Sequence, residues 1–266
     1  MIEQYGFIKG RSSALQLLNL LDTWTNCLEE GAQIDVIYTD LEKAFDKVPH
    51  KRLLSKLQSY GVSQELIKWI EGFLLFRRQQ VPVNSEYSCF KPVLSGIPQG
   101  SILGPLLFVI YINDLPSAVK NLVNCFLFAD DAKLSKHIQT LSDRDELQNA
   151  FHMLTLWSKQ WLLKLNFSKC SILSVKRRDP ILYDYYITED TCDIQLQRCD
   201  KVKDLGVIID SSLTFEDHIT EKVNKAYSIL GLIKRNFEHI GRAHVLKPLL
   251  PNHTTSLQSS RQITQL

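Results

Sequence analysis

Leu15, Leu18, Leu21 and Leu28 recur at helical spacing. Ser13 with Gln16 three residues on predicts a capping box at the start of that helix, and Gly31 predicts its end. From Ile34 to Thr39 the pattern changes to a β-branched run too short for a helix, which predicts a strand buried on both faces and ending at Asp40. Pro49 predicts the opening of a second helix closing at Gly61. Ser63 caps a third, carrying Leu66, Ile67, Trp69, Ile70 and Phe73. Residues 79–94 alternate around Asn84 and Ser85, which predicts a hairpin. After the glycine-punctuated loop Ser95–Ser101, Gly104 and Pro105 start an apolar helix (Leu106, Leu107, Phe108, Ile110, Tyr111) expected to halt near Pro116.

An apolar strand is expected over 122–128, interrupted by Asp130 and Asp131 and resumed over 132–138. Asp143 with Glu146 reads as the capping box of a helix running through Trp157 to Trp161. Short strands are expected at 163–166, 170–175 and 205–210. Ile219, Val223, Ala226, Leu230, Ile233 and Phe237 step by four and three, an amphipathic helix with a narrow seam. The stretch 251–266 is Ser/Thr/Gln-rich and aperiodic, and reads as a disordered tail. Helices and strands mix without βαβ alternation, so the expected class is α+β with a mostly antiparallel sheet.

Composition narrows the function classes. With 266 residues, 44% hydrophobic and 23% charged, the chain is globular rather than disordered, collagen-like or coiled-coil. Lys and Arg total 31 against 29 Asp and Glu, a net charge of +2, so a polyanion would be held by local patches rather than by a general basic field. Six cysteines (Cys27, Cys89, Cys125, Cys170, Cys192, Cys199) form no C-x-x-C pair and read as reduced, buried thiols of an intracellular protein. The longest apolar run, Pro105–Ile112, is far short of the roughly 20 residues a membrane span needs.

The sharpest chemical feature is Phe128-Ala-Asp-Asp131, two acids inside apolar sequence. Adjacent buried carboxylates repel and raise one another's pKa unless a cation neutralises them. The same pattern also describes a solvent-exposed hairpin tip, where Asp is common, and taken alone the two readings weigh about equally. Asp40 shifts the balance. It ends another apolar strand 90 residues upstream of Asp130. Three carboxylates at the ends of adjacent strands make an oxygen cage suited to Mg²⁺, and two such ions roughly 4 Å apart support in-line phosphoryl displacement. In the Gly96–Gly104 loop, glycines allow close backbone approach to a ligand and Gln99 offers both donor and acceptor. No Gly-Lys-Ser/Thr follows, so it is not a Walker A loop.

Asp40-Leu-Glu-Lys-Ala-Phe-Asp46, Ser95-Gly-Ile-Pro-Gln-Gly-Ser-Ile-Leu-Gly-Pro105 and Phe-Ala-Asp-Asp131, in that order and spacing, resemble the palm motifs of reverse transcriptases. Gln4-Tyr-Gly-Phe-Ile-Lys-Gly-Arg-Ser-Ser13 is similar to the fingers segment of non-LTR, LINE-type, jockey-like retrotransposon polymerases. Leu165-Asn-Phe-Ser-Lys-Cys170 resembles their next palm motif and Asp204-Leu-Gly-Val207 their primer-grip region. The resemblance runs from about residue 3 to residue 240. It implies a right-hand polymerase palm with an antiparallel sheet, partial fingers and the start of a thumb. The implied activity is RNA-directed DNA polymerisation, and a non-catalytic nucleic-acid-binding remnant of the same fold is the alternative.

Residue by residue, the resemblance makes Asp40, Asp130 and Asp131 the metal-binding triad for two Mg²⁺, with Leu41 adding a backbone carbonyl. Phe45 falls where the family keeps a steric gate against a ribose 2′-hydroxyl, Gln99 and Gly100 line the nucleotide pocket, and Lys169 protonates departing pyrophosphate. Asp46 is expected to accept backbone hydrogen bonds ahead of the Pro49 helix. RNA template, DNA primer and deoxynucleoside triphosphates are the implied partners, with no membrane. Lys9 with Arg11, Arg77 with Arg78, and Lys176-Arg177-Arg178 are clusters suited to phosphates, as are Lys222, Lys225, Lys234 and Arg235 along the late helix. The expected division is 1–212 fingers and palm, 213–248 helical start of the thumb, and 249–266 polar tail. Earlier fingers strands, an endonuclease, an RNase H region and the rest of the thumb are expected to fall outside this chain.

Overall fold

The computed structural model of the chain describes residues 3–120, 122–176, 181–189 and 192–236. The chain divides into two compact units, one up to Thr214 and one from Phe215.

The first unit opens with helix α1 (Ser13–Glu29). Its cap is Ser12, whose hydroxyl accepts from the Leu15 amide at 3.2 Å. The expected Ser13–Gln16 box does not form, because Gln16 turns into the core. The buried stripe is therefore Gln16, Leu17, Leu20, Trp24 and Leu28, while Leu15 and Leu18 face out. Strand β1 (Gln33–Thr39) is buried on both faces, as its β-branched run predicts, with Asp35 buried among the apolar residues. A single helical turn, α2 (Ala44–Lys47), which periodicity cannot signal, precedes α3 (His50–Ser59), entered through Pro49. Ser63 caps α4 (Gln64–Leu74) as expected, though only Ile67, Ile70 and Leu74 are buried there and Leu66 and Trp69 are exposed.

The expected hairpin forms in two tiers. Strand β2 (Arg78–Gln79) pairs with β5 (Lys91–Pro92), and β3 (Pro82–Val83) with β4 (Glu86–Tyr87). Asn84 and Ser85 both have positive φ, 47° and 70°, as a two-residue hairpin turn requires. The apolar helix α5 (Leu103–Tyr111) ends before Pro116, which lies instead in the first turn of α6 (Leu115–Val119), where a missing N–H costs nothing. Strands β6 (Asn124–Phe128) and β7 (Asp131–Ile138) lead to α7 (Leu141–Trp161). The capping box of α7 is Thr140 with Asp143, not Asp143 with Glu146. Glu146 pairs with Lys136 at 2.6 Å.

Strand β8 (Ser171–Val175) matches expectation, and the strand foreseen at 163–166 reduces to one bridge between Leu41 and Leu165. Hairpin β9 (Tyr186–Glu189) with β10 (Cys192–Gln195) and the short β11 (Gln197–Arg198) were not signalled by hydrophobic pattern. Strand β12 (Lys201–Asp204) pairs with β13 (Val207–Asp210), the latter answering to the expected 205–210. The main sheet has the order β11-β8-β1-β7-β6, antiparallel except where β11 meets β8. This is α+β with a mostly antiparallel sheet. Its core joins Ile37, Leu134 and Ile172 of the sheet to Leu53 and Leu57 of α3, Phe108 of α5 and Phe151 and Leu154 of α7.

Of the described thiols only Cys170 is buried; Cys89 is exposed, and Cys27, Cys125 and Cys199 are half-buried, so the expectation of uniformly buried cysteines fails. The second unit contains α8 (Glu216–Asn236), which covers the expected amphipathic run. Glu216 and Asp217 open it and Lys234 and Arg235 close it, complementing the helix dipole. Phe237, the tail 251–266, and Arg177 and Arg178 lie outside the described residues. Among the described residues no helix is long and apolar enough to cross a membrane.

Candidate active site

Strand register brings the three aspartates to one end of the sheet. The last pair between β1 and β7 is Thr39 with Ala132, so Asp40 leaves β1 alongside Asp131, the first residue of β7. The Thr39 hydroxyl also donates to the Ala132 carbonyl at 2.9 Å. Phe128 pairs with Asp131 across the β6–β7 hairpin, leaving Ala129 and Asp130 as a two-residue turn. Ala129 is buried and held at φ 53°. The aspartates thus sit on a hairpin tip that is also beside Asp40, so both readings of the Asp-Asp pair describe part of the geometry.

Charge at this tip is strained. Burial raises the Asp130 carboxyl above the usual carboxylate range, its own backbone amide opposes that, and Asp40 adds to the rise. Asp131 is pushed up to about 6, by loss of hydration first and the Asp130 charge next, with Asp204 and Asp40 adding and Lys133 opposing. Because Asp131 as a residue is exposed to solvent, the repulsion among carboxylates is the part of this shift that a bound cation would relieve.

Lys169 reaches the same end. The segment 164–170 is zipped along residues 40–42, with the Glu42 amide donating to Lys164 O at 2.7 Å and the Asn166 amide to Asp40 O at 2.8 Å. That places the Lys169 ammonium 3.3 Å from Asp40 Oδ2. Beneath Asp131, Lys133 and Asp204 form a fully buried ion pair at 2.5 Å. Gln16 accepts from Lys133 at 3.2 Å and donates to Leu127 O at 2.9 Å. Asp204 Oδ2 and the Tyr38 hydroxyl are buried nearby without a hydrogen bond of good geometry. Hydrophobic pattern singles out neither Gln4 nor Gln16. The available signal was that Gln16, Leu20 and Trp24 step by four, which puts an amide in a buried stripe.

The remaining candidates are distributed unevenly. Leu41 is buried and bridges Leu165. Phe45 is a packed ring, stacked on Phe108 at 4.2 Å and edge-on to Phe7 at 6.2 Å. Gln99 Nε2 donates to Asp46 Oδ1 at 2.9 Å, so the partner of the Asp46 carboxylate is a side-chain amide rather than the backbone groups expected. Gly100 is exposed at φ 78°. Gly96 is indispensable to this loop: at φ 85°, a Cβ there would lie 2.5 Å from Asp46 O. Lys9 and Arg78 are exposed, and Arg78 lies over the Phe90 ring. Arg11 and Arg77 are turned inward. Arg11 donates to Gln4 O at 2.5 Å, and Arg77 to Leu74 O at 2.9 Å and Gly96 O at 2.6 Å. Part of each guanidinium's donor set is therefore held by internal carbonyls.

A family model described as "Reverse transcriptase (RNA-dependent DNA polymerase)" matches residues 2–209. The chain belongs to the reverse transcriptase family. It is 31% identical over 224 residues to an RNA-directed DNA polymerase from the mobile element jockey of Drosophila funebris, covering 82% of this chain and 24% of that protein. It is 28% identical over 239 residues to a probable RNA-directed DNA polymerase from transposon BS of Drosophila melanogaster, covering 84% and 25%. This reverse transcriptase chain therefore spans about a quarter of the length of the curated relatives it matches. Among solved structures, apo telomerase from Candida tropicalis matches with a TM-score of 0.55 at 12% identity, covering 81% of this chain and 40% of that one, a likeness of fold alone.

Reverse transcriptases use divalent metal ions as a family. Among the described residues no three His, Cys, Asp or Glu side chains are gathered as a ready-made metal cluster. The donor chemistry nonetheless fits: Asp40, Asp130 and Asp131 are hard oxygen donors whose charges oppose one another, the condition that a divalent cation relieves.

Proposed function

We propose that this chain carries the polymerising centre of a mobile-element reverse transcriptase and adds deoxynucleotides to a DNA primer on an RNA template. The observation that carries the reading is the register that sets Asp40 beside the Asp130–Asp131 turn. In this reading the main sheet is a polymerase palm within residues 1–212, preceded by part of the fingers, with 213–248 beginning a thumb and 249–266 a polar tail. Asp40, Asp130, Asp131 and the Leu41 carbonyl would hold two Mg²⁺. Bound there, the ions supply charge neutralisation and activation for in-line displacement.

The primer 3′-hydroxyl gives up its proton to solvent and attacks the α-phosphate of the incoming nucleotide; the new P–O bond forms as the bond to the leaving oxygen breaks, and pyrophosphate departs. Lys169, beside Asp40, donates a proton to that leaving group. Phe45, wedged between Phe7 and Phe108, is held rigidly enough to exclude a 2′-hydroxyl. Gln99 and Gly100 line the nucleotide pocket, and exposed Lys9 and Arg78 contact phosphates, which position a duplex without reading its sequence. Arg11 and Arg77 contribute by shaping the backbone beneath those contacts.

The test is extension of a DNA primer on an RNA template, comparing this chain with Asp130→Asn. The expected loss in the variant is about a thousandfold, some 4 kcal/mol of transition-state stabilisation. Undiminished extension by Asp130→Asn contradicts the proposal. Duplex binding without any extension by the unsubstituted chain favours the non-catalytic nucleic-acid-binding alternative.

A further inference from the structure

The structure assigns Gln4 as the residue that positions the Asp130–Asp131 turn, an inference that rests on the proposed catalytic reading of those aspartates. Gln4 is fully buried and lies 125 residues from the turn it touches. Its Oε1 accepts from the Ala129 amide at 2.9 Å and from the Gly6 amide at 2.7 Å, while its Nε2 donates to the Ala129 carbonyl at 3.3 Å. One side-chain amide thus closes both backbone polar groups of the residue that starts the turn. A carboxamide offers a neutral acceptor and donor side by side on one planar group, the spacing that matches the N–H and C=O of a single residue, and Gln carries it one methylene further out than Asn.

Ala129 needs such support. Its φ of 53° lies in the left-handed region, where a side chain costs on the order of 1 kcal/mol or more. Buried peptide groups without partners would add to that cost.

The clamp is itself anchored. The Tyr5 amide donates to Leu127 O at 2.8 Å and the Leu127 amide to Glu3 O at 3.0 Å, which lays the segment along the free edge of β6. Arg11 fixes the Gln4 carbonyl and stacks over Tyr5 at 5.1 Å. Gly6 completes the fit, since a Cβ there would lie 2.3 Å from the Ala129 amide nitrogen. These contacts fix the turn's backbone, and the turn's backbone fixes where the carboxylates of Asp130 and Asp131 can reach. Gln4 touches no reacting atom; it acts through Ala129.

The experiment compares the 266-residue chain with Gln4→Leu, which keeps the bulk and removes the amide, and with Gly6→Ala, which pushes on the turn from the other side. Three quantities are read: amide hydrogen exchange at Ala129 and at Val36 of the central strand, Mn²⁺ affinity by electron paramagnetic resonance, and the kcat and KM of primer extension. In Gln4→Leu, Ala129 exchange should rise and Mn²⁺ affinity and kcat should each fall about tenfold, the usual scale for losing an outer support of a metal site, with Val36 exchange and the KM for primer–template unchanged. Gly6→Ala should shift the same quantities in the same direction.

Unchanged Ala129 protection and Mn²⁺ affinity in folded Gln4→Leu would overturn the inference. Variants that lose Mn²⁺ only together with Val36 protection would overturn it too, since Gln4 would then serve the fold at large. If the unsubstituted chain neither binds Mn²⁺ nor extends a primer, the catalytic reading fails, and Ala129 exchange still decides whether the clamp exists.

Discussion

Asp131 combines exposure to solvent with a carboxyl pushed up to about 6, and the combination has a definite sign. A carboxyl whose pKa is higher in the folded state takes up protons on folding between about pH 4 and pH 6, so its ionisation erodes stability as pH rises through that window. Asp131→Asn should accordingly raise the melting temperature at pH 8 and leave it unchanged at pH 3.5, measured by thermal unfolding at both values. A melting temperature unaffected at pH 8 would mean that Asp131 carries no repulsion to remove. By the same competition between proton and metal, divalent affinity should weaken as pH falls through about 6. At this scale the aspartates were legible from their setting in apolar sequence. Lys169 was legible only through resemblance, because its approach to Asp40 depends on the 164–170 segment lying along 40–42. The inward contacts of Arg77 were not legible, because nothing local reveals that Gly96 O and Leu74 O lie within its reach.

Among the elements, the Gly96 loop shows how backbone geometry holds a loop against its neighbour. The Gly96 amide donates to Val48 O at 2.8 Å and the Ile97 amide to Phe45 O at 2.8 Å, tying the loop to the segment that carries Phe45 and Asp46. His50 and Arg77 both reach the Gly96 carbonyl from the other side. Gly96→Ala should destabilise the fold by about 1–3 kcal/mol, from positive φ and the clash with Asp46 O, as measured by denaturant unfolding. A variant as stable as the parent would show that the loop can open away from α2 without penalty. Long elements with strong periodicity or a β-branched run, such as β1 and α7, were readable from pattern. Caps moved by a few residues, from Ser13 to Ser12 and from Asp143 to Thr140, because the side chains expected to cap were needed elsewhere: Gln16 in the core and Glu146 on Lys136. Strands β9 to β12 are two to four residues long, below the length at which alternation becomes a signal.

The molecule as a whole has little net charge, so the nucleic acid proposed as its partner would be held by local surface contacts. Exposed and inward-turned arginines should then behave differently. Arg78→Ala should lower the salt dependence of primer–template binding by a log–log slope of about 0.7–0.9 with an unchanged melting temperature. Arg77→Ala should lower the melting temperature, since the Leu74 carbonyl loses the Arg77 donor and the Gly96 carbonyl keeps only His50, and leave that slope unchanged. Equal salt slopes for the two variants would refute this division. Fold class and the antiparallel sheet were within reach of sequence because the pattern never alternated as βαβ; the pairing order β11-β8-β1-β7-β6 was not, because contacts between strands distant in sequence leave no local trace.

The account depends most on three side chains from separate positions sharing one divalent site, and NMR of the chain labelled at the aspartate side-chain carbonyl carbons tests this directly. Substoichiometric Mn²⁺ should broaden the signals of Asp40, Asp130 and Asp131 together and before those of other aspartates. Broadening of Asp40 alone, or first at aspartates remote from the turn, would contradict it.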